Sequence, residues 1–394
     1  MDDTIQKKAI IIGAGIAGLS LAVRLQSKGI QVSVFEANTY PGGKLTELSK
    51  KGYRFDMGPS LFTMPQFVEE LFSISNKNIN HYFSYKKKET VCHYFYKDGT
   101  FFKASSNTDT FSSDAANVFD VEKNTLDNYF KKSKKKYELT SSLFLEKSLH
   151  KISTYLSKDT LKAIFNVRNL DINISLHEYN TSNFNDPKLI QLFDRFATYN
   201  GSSPYLTPGI MSMIPHLEQY YGTFFPKGGM HSITESIYKL AQDLGVQFYF
   251  NSTVNKIHIK NQIAVGISVN NKDFYGDFII SNSDVVPTYK NLIKDQKPPL
   301  KILKQPRSSS ALIFYWGIKK EFPSLDLHNI FFSDNYEKEF TYIFEKKKVY
   351  NDPTIYVNIT SKENKSDAPK GCENWFVMVN VPSNTGQDWD SIIN

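Results

Sequence analysis

Three glycines and one acid carry the first chemical signal. Gly13, Gly15 and Gly18 are spaced G-x-G-x-x-G, and Glu36 follows 18 residues after Gly18. In such a triplet the first glycine permits a tight turn. The second lets backbone N–H groups approach a pyrophosphate, and the third lets a helix pack closely on a sheet. Ile16 and Ala17 then open a helix whose N-terminal partial charge suits phosphates. Glu36, followed by Ala37, stands where a carboxylate accepts hydrogen bonds from ribose hydroxyls. A glycine turn that only packs a helix is the plainer alternative, and it leaves Glu36 unexplained. Tyr40-Pro41-Gly42-Gly43-Lys44 comes next. A glycine pair there can run close to a cofactor, with Lys44 near its phosphates or ring system, and this favours FAD over NAD. The alternative is an ordinary Pro-Gly turn.

Positioning these residues requires a strand, a helix and a second strand. Lys8 to Ile12 is a short apolar run of buried-strand type, and Ile16, Leu19 and Val23 recur at helical spacing. Lys28-Gly29 gives a helix stop, and Gln31 to Phe35 reads as the next strand. A second region of this style lies downstream. Ile233, Ile237, Leu240 and Leu244 line one helix face up to Gly245, and Val246 to Phe250 reads as a strand. A hairpin is expected around Asn261-Gln262, and Asp277 to Ser281 as another buried strand. The remainder differs. Asp98-Gly99 marks a hairpin between Val91–Tyr96 and Phe101–Lys103, and Leu126 to Phe165 looks helical. Strands are expected at Ser309–Ile318, Asn329–Phe332, Thr354–Ile359 and Asn374–Val381, and Lys362 to Lys370 as a polar surface loop. The expected architecture is an α/β FAD-binding Rossmann-like domain with an inserted α+β domain. The first takes residues 1–80 and 223–290. The second takes 81–222 and 291–394.

Composition narrows the function classes. The 394 residues carry a net charge of +7, but only five of the 47 basic residues are arginine. Abundant Lys, Asn, Ile, Phe and Tyr fit an AT-rich coding bias. No nucleic-acid module accompanies the charge. Two cysteines, Cys92 and Cys372, are too few for a metal cluster or a disulfide framework, and no metal site is expected. No apolar run approaches the ~20 residues of a membrane-spanning helix. Met1-Asp2-Asp3-Thr4 lacks a signal-peptide pattern. The expectation is a cytoplasmic protein lying peripherally on the inner membrane. Lys131, Lys132 and Lys134 to Lys136, beside Tyr129, Phe130, Leu143, Phe144 and Leu145, are its candidate contact. A solvated helix face is the alternative.

The glycine triplet, Glu36, Gly42-Gly43-Lys44 and Phe55-Asp56-Met57-Gly58-Pro59-Ser60 together resemble the bacterial carotenoid (phytoene) desaturase family, within the amine-oxidase-like flavoproteins. Phe225-Pro226-Lys227-Gly228-Gly229-Met230, Thr253-Val254 and Asp277 to Asp284 match further family motifs. His328 to Ser333, Thr354 to Ser361 and Gly371 to Val377 resemble the hydroxycarotenoid 3,4-desaturase branch. The resemblance implies FAD held through Gly13, Gly15, Ile16, Ala17, Gly18, Glu36, Ala37, Gly43, Lys44, Gly58, Pro59, Ser60 and the backbone at Val254. It implies a carotenoid substrate, hydride transfer to flavin, and reoxidation by oxygen or a membrane quinone. Family members continue past the region matching Asn380 to Asp390 into a further strand, a glycine-rich segment and a helix, so a C-terminally truncated chain is expected. Arg195, in the apolar stretch Leu192 to Asn200, either tunes the flavin, orients a hydroxylated end group, or pairs with Asp194 or another acid. His216 and His231 are expected at surface or cap positions. A phytoene desaturase, another flavoenzyme such as an amine oxidase, and a non-catalytic flavin-binding remnant remain as alternatives.

Overall fold

The apolar run Lys8–Ile12 forms a central strand of a parallel sheet in the computed structural model, which describes residues 6–141, 151, 153, 170–294 and 296–393. The sheet order is Phe278–Ser281, Lys8–Ile12, Gln31–Phe35 and Gln247–Tyr249. Alternation along the strand decides its two faces. Ala9 and Ile11 point to the helices Ile16–Gln26 and His231–Asp243, packing with Leu19, Val23, Ile233 and Ile237. Ile10 and Ile12 point the other way, onto a three-stranded antiparallel sheet through Val254, Ile257, Ile267 and Val269. That sheet contains the hairpin at Asn261 and Gln262, whose φ angles of 51° and 63° make the mirror-image turn that a two-residue hairpin favours. Its third strand, Lys272–Tyr275, and the strand Thr46–Lys50 that pairs with Tyr53–Met57 carry no clear sequence signal.

The chain divides into Met1–Lys86 with Phe224–Pro306, and Lys87–Thr223 with Arg307–Asn394. The boundaries expected at 80, 222 and 290 therefore fall at 86, 223 and 306. Packing explains the shifts. Tyr85 meets Phe62 and Phe224 edge-on, and Leu292 and Ile293 pack against the Ile257–Ile267 cluster.

The second unit holds a six-stranded sheet ordered Ser310–Ile318, Glu373–Val381, Ile355–Asn358, His328–Phe331, Thr90–Phe95 and Phe101–Ser105. Its pairs are antiparallel except His328–Phe331 with Thr90–Phe95. Tyr94, Phe102 and Ile330 on one face pack with Phe111, Tyr129 and Phe193 from the helices Thr108–Phe119, Lys123–Ser141 and Pro187–Asp194.

Four expectations change here. Tyr129 and Phe130 belong to this core and are not membrane-facing. Lys136 is buried among Ser212, the Gly209 carbonyl and Asp171, leaving Lys131, Lys132, Lys134 and Lys135 exposed. Its aliphatic stem occupies an inward helix position while its ammonium finds three acceptors. His216 is buried against Tyr137 and Tyr220, and Asp367 of the supposed polar loop is buried against Thr360 and Asn364. The helix is described as far as Ser141, so Leu143, Phe144, Leu145 and Phe165 lie outside the described residues.

Candidate functional site

Gly13 adopts φ 98°, which turns the chain from strand to helix and favours glycine there. Gly18 allows that helix to lie against the turn. A Cβ on Gly18 would sit 2.3 Å from the Gly13 carbonyl oxygen and 2.8 Å from Asn282 Nδ2. The helix Ile16–Gln26 begins after Gly15 with no side-chain cap and no acid in its first turn. Its leading N–H groups are therefore left for an anion, and the helix dipole favours a negative charge there.

Glu36 closes the turn from the neighbouring strand. Its Oε2 accepts from the Ala14 N–H at 2.8 Å, and Oε1 accepts from the Asn38 N–H at 2.8 Å. The carboxylate is buried, 7% exposed, and keeps lone pairs for a further donor. Its own backbone is pinned to the Tyr249 carbonyl and the Ser252 N–H, which brings the Ser252–Val254 segment beside it. Gly42 joins from the other side by donating to the Ala14 carbonyl at 2.8 Å.

These elements enclose a cleft of about 820 Å³. Of the sequence-predicted residues, Gly13, Gly15, Ile16, Ala17, Glu36, Ala37, Gly43, Lys44, Pro59 and Val254 line it. Gly18, Gly58 and Ser60 are not lining residues. Gly18 sits beneath the turn, and Gly58 lies where a Cβ would be 2.1 Å from the Lys44 carbonyl oxygen. Asn282 was missed as a site residue. It follows the strand Phe278–Ser281, lines the cleft and donates to the Gly13 carbonyl at 3.3 Å. Its signal was the DFIISNSD stretch, which places a polar residue at the carboxyl end of a parallel strand, where open α/β sheets bind ligands. Asp56 plays a supporting part. It accepts from Met230 N and His231 N at 2.8 and 3.0 Å, capping the helix His231–Asp243, and pairs with Arg54 at 2.7 Å.

The cleft fits a dinucleotide cofactor. Uncapped helix N–H groups would meet phosphates, a buried carboxylate would meet ribose hydroxyls, and the close glycine backbones would leave room between them. Among the described residues no group of His, Cys, Asp and Glu could hold a metal ion, and no helix is long and apolar enough to cross a membrane.

Arg195 lies in the other unit. It follows the helix Pro187–Asp194, is 8% exposed, and donates from an Nη to Glu218 Oε2 at 2.8 Å. The pairing partner is Glu218, because Asp194 is occupied by His177 and Asn180. Burial opposes the charge of Arg195, but its surroundings, Glu218 foremost and then Tyr94 and Cys92, hold the guanidinium above its ordinary range. Tyr199 donates to the same carboxylate.

Similarity to known proteins agrees with this geometry. Residues 16–308 match the flavin containing amine oxidoreductase family. The chain is 57% identical over 387 residues to a 1-hydroxycarotenoid 3,4-desaturase of Flavobacterium sp. (strain P99-3), covering 98% of this chain and 79% of that one. It is 30% identical to a 4,4'-diapolycopene oxygenase of Methylomonas sp., over 97% of this chain and 77% of the relative. An oxidoreductase from Methanosarcina mazei shares the fold with a TM-score of 0.65 at 18% identity, over 98% of this chain and 82% of that one. Putrescine oxidase does so with 0.61 at 13%, over 99% and 78%. The chain therefore belongs to the flavin containing amine oxidoreductase family, within its carotenoid desaturase group, and is an FAD-dependent oxidoreductase.

Proposed function

We propose that this enzyme introduces a C=C bond into a hydroxylated carotenoid, as a 1-hydroxycarotenoid 3,4-desaturase. The observation that carries this reading is the 57% identity, spread over 98% of the chain, to a relative of that name. Bound FAD supplies the two-electron acceptor for this chemistry, in which a hydride leaves an allylic carbon and a proton leaves its neighbour.

The chain's own residues hold and orient. The N–H groups of Ile16 and Ala17 would receive the pyrophosphate, Glu36 would receive the ribose, and Lys44 would offer a positive charge to the cofactor from the cleft lining. We assign Met1–Lys86 with Phe224–Pro306 to cofactor binding and the other unit to the substrate. The substrate has no ionic handle, so its binding comes mainly from buried apolar area, at ~25 cal/mol per Å². Arg195 is held by Glu218 as a fixed positive charge that orients and does not exchange a proton. The electron acceptor that reoxidises the cofactor is oxygen or a membrane quinone. The enzyme lies peripherally on the inner membrane, with exposed Lys131, Lys132, Lys134 and Lys135 facing anionic headgroups.

The test is to supply FAD-loaded protein with a 1-hydroxycarotenoid and with colourless phytoene, and to follow absorbance and product mass. A red-shifted product lighter by the mass of H2, from the hydroxylated compound, is expected. Conversion of phytoene alone would make the enzyme a phytoene desaturase, and conversion of neither would remove the carotenoid reading.

A further inference from the structure

The six-stranded sheet of the second unit presents an uneven face. Cross-strand partners share a face, so the pairs Ile313–Met378, Met378–Tyr356 and Tyr315–Phe376 form one surface. His328 lies on that surface too, opposite Asn358, which pairs with Phe376. Ile313, Tyr315, Tyr356 and Met378 are half-buried: Tyr356 packs at the edge of the helix-covered cluster that holds Tyr94 and Phe102, and Ile313, Tyr315 and Met378 lie outside that cluster. The rings are in sequence along it. Tyr315 meets Phe376 at 5.8 Å, Phe376 meets Tyr356 at 6.3 Å, and Tyr356 stacks on His328 at 6.1 Å.

The strip ends at a buried polar group with an open valence. His328 is 3% exposed. Its Nδ1 lies 2.7 Å from the Tyr356 hydroxyl and 3.2 Å from Asn358 Nδ2. The Asn358 amide nitrogen also donates to the Leu327 carbonyl at 3.0 Å, so it is a donor, and Nδ1 must accept. In the neutral ring Nε2 then carries the proton. That buried N–H has no hydrogen-bond partner, and neither does Nε of Arg195, whose guanidinium lies over Tyr94 of the adjacent strand. An unpaired buried donor is costly, and a site that keeps one is suited to a ligand that completes it.

We propose that His328 Nε2 donates to the terminal hydroxyl of the carotenoid, and that the adjoining polyene lies along the strip of Tyr356, Met378, Ile313 and Tyr315. This rests on the hydroxycarotenoid reading above and names the residue that reads the hydroxyl. The chemistry matches at both parts. A polyene requires a dry apolar and aromatic surface, and its hydroxyl loses water there unless a polar group replaces it. Tyr356 serves both, packing its ring in the strip and fixing the His328 tautomer with its hydroxyl. A carotenoid lacking the hydroxyl leaves the same N–H unpaired, so the site discriminates against it.

The experiment measures kcat/KM for a 1-hydroxycarotenoid and for the same carotenoid without the hydroxyl. It uses the FAD-loaded wild type, His328→Phe and His328→Gln. The wild type should prefer the hydroxylated compound. His328→Phe keeps a ring in the stack and should lower that preference about tenfold, whereas His328→Gln retains a donor and should keep most of it. A purely structural role would lower both substrates together and leave the ratio unchanged, which would overturn the proposal. Should His328→Phe fail to fold, 15N-histidine NMR of the wild type decides. The Nε2–H signal must move with the hydroxylated carotenoid and stay with the deoxy compound, and equal shifts would refute the assignment. If the wild type converts neither compound, the hydroxycarotenoid reading falls and this inference with it. Conversion of the hydroxylated compound with an unaltered ratio in His328→Phe sinks only the inference.

Discussion

Replacing Glu36 by alanine separates the task that the structure gives this carboxylate, holding the glycine turn, from the task proposed for it, holding a ribose. In the structure it accepts from the Ala14 and Asn38 N–H groups, each at 2.8 Å. Hydrogen bonds to a charged group contribute ~1.5–3 kcal/mol each, and Ala14 is fully buried, so its N–H would lose its partner away from bulk water. Water entering the cleft recovers part of this. The expected net loss is about 2–4 kcal/mol of folding stability, read as a lower urea midpoint with an unchanged slope. With the carboxylate also holding a ribose hydroxyl of bound FAD, as proposed, losing that bond should weaken binding by roughly 1–3 kcal/mol, or about 5- to 150-fold. Glu36→Gln keeps one acceptor oxygen and turns an amide NH2 toward the other N–H, so it should fall between wild type and alanine in both measurements. Urea unfolding of the flavin-free protein gives the first quantity, and titration of FAD by quenching of flavin fluorescence gives the second. A drop in stability with FAD affinity within about twofold of wild type would show that Glu36 only latches the glycine turn. No change in either would refute the reasoning altogether.

Gly18→Ala should abolish flavin retention, because its Cβ meets backbone at 2.3 Å, and co-purification with FAD at wild-type stoichiometry would contradict this. Arg195→Met and Glu218→Leu should each cost about 3–5 kcal/mol by stranding a buried charge, whereas the double variant should be less destabilised than either. Additive losses in urea unfolding would deny that the two act as a pair, and a stable double variant with unchanged desaturation would deny Arg195 any part in orienting the substrate. Burial lowers His328 from its ordinary 6.5 to about 4, so the unfolded chain binds the extra proton first as pH falls. Its contribution is present above pH ~6.5 and is lost as pH drops toward the folded value, roughly 2 kcal/mol between pH 7.5 and 5. Thermal unfolding across that range should show a shallower pH dependence in His328→Gln.

The cofactor half of the molecule is legible in the chain because its signals are local. A buried parallel strand is a continuous apolar run, a strand-to-helix turn at φ 98° favours glycine, and Glu36 ends the next strand. Each depends on neighbours within a few tens of residues, so Lys8–Ile12, Gln31–Phe35 and the hairpin at Asn261–Gln262 can be read directly. What needed tertiary structure depends on residues far apart in sequence. Asn282 reaches the cleft only because Phe278–Ser281 pairs beside Lys8–Ile12. Lys136 resembles its exposed neighbours until residues 171, 209 and 212 supply three acceptors, and no helical periodicity contains that information. Arg195 stands next to Asp194 in sequence yet pairs with Glu218, since consecutive residues on a helix point apart and His177 and Asn180 already hold Asp194. His328 reads as an ordinary strand residue, and only the register of four strands places it at the end of an aromatic strip with its Nε2–H unpaired. Local backbone chemistry is written in adjacent residues, whereas the partner of a buried side chain is set by which distant segments the core brings together.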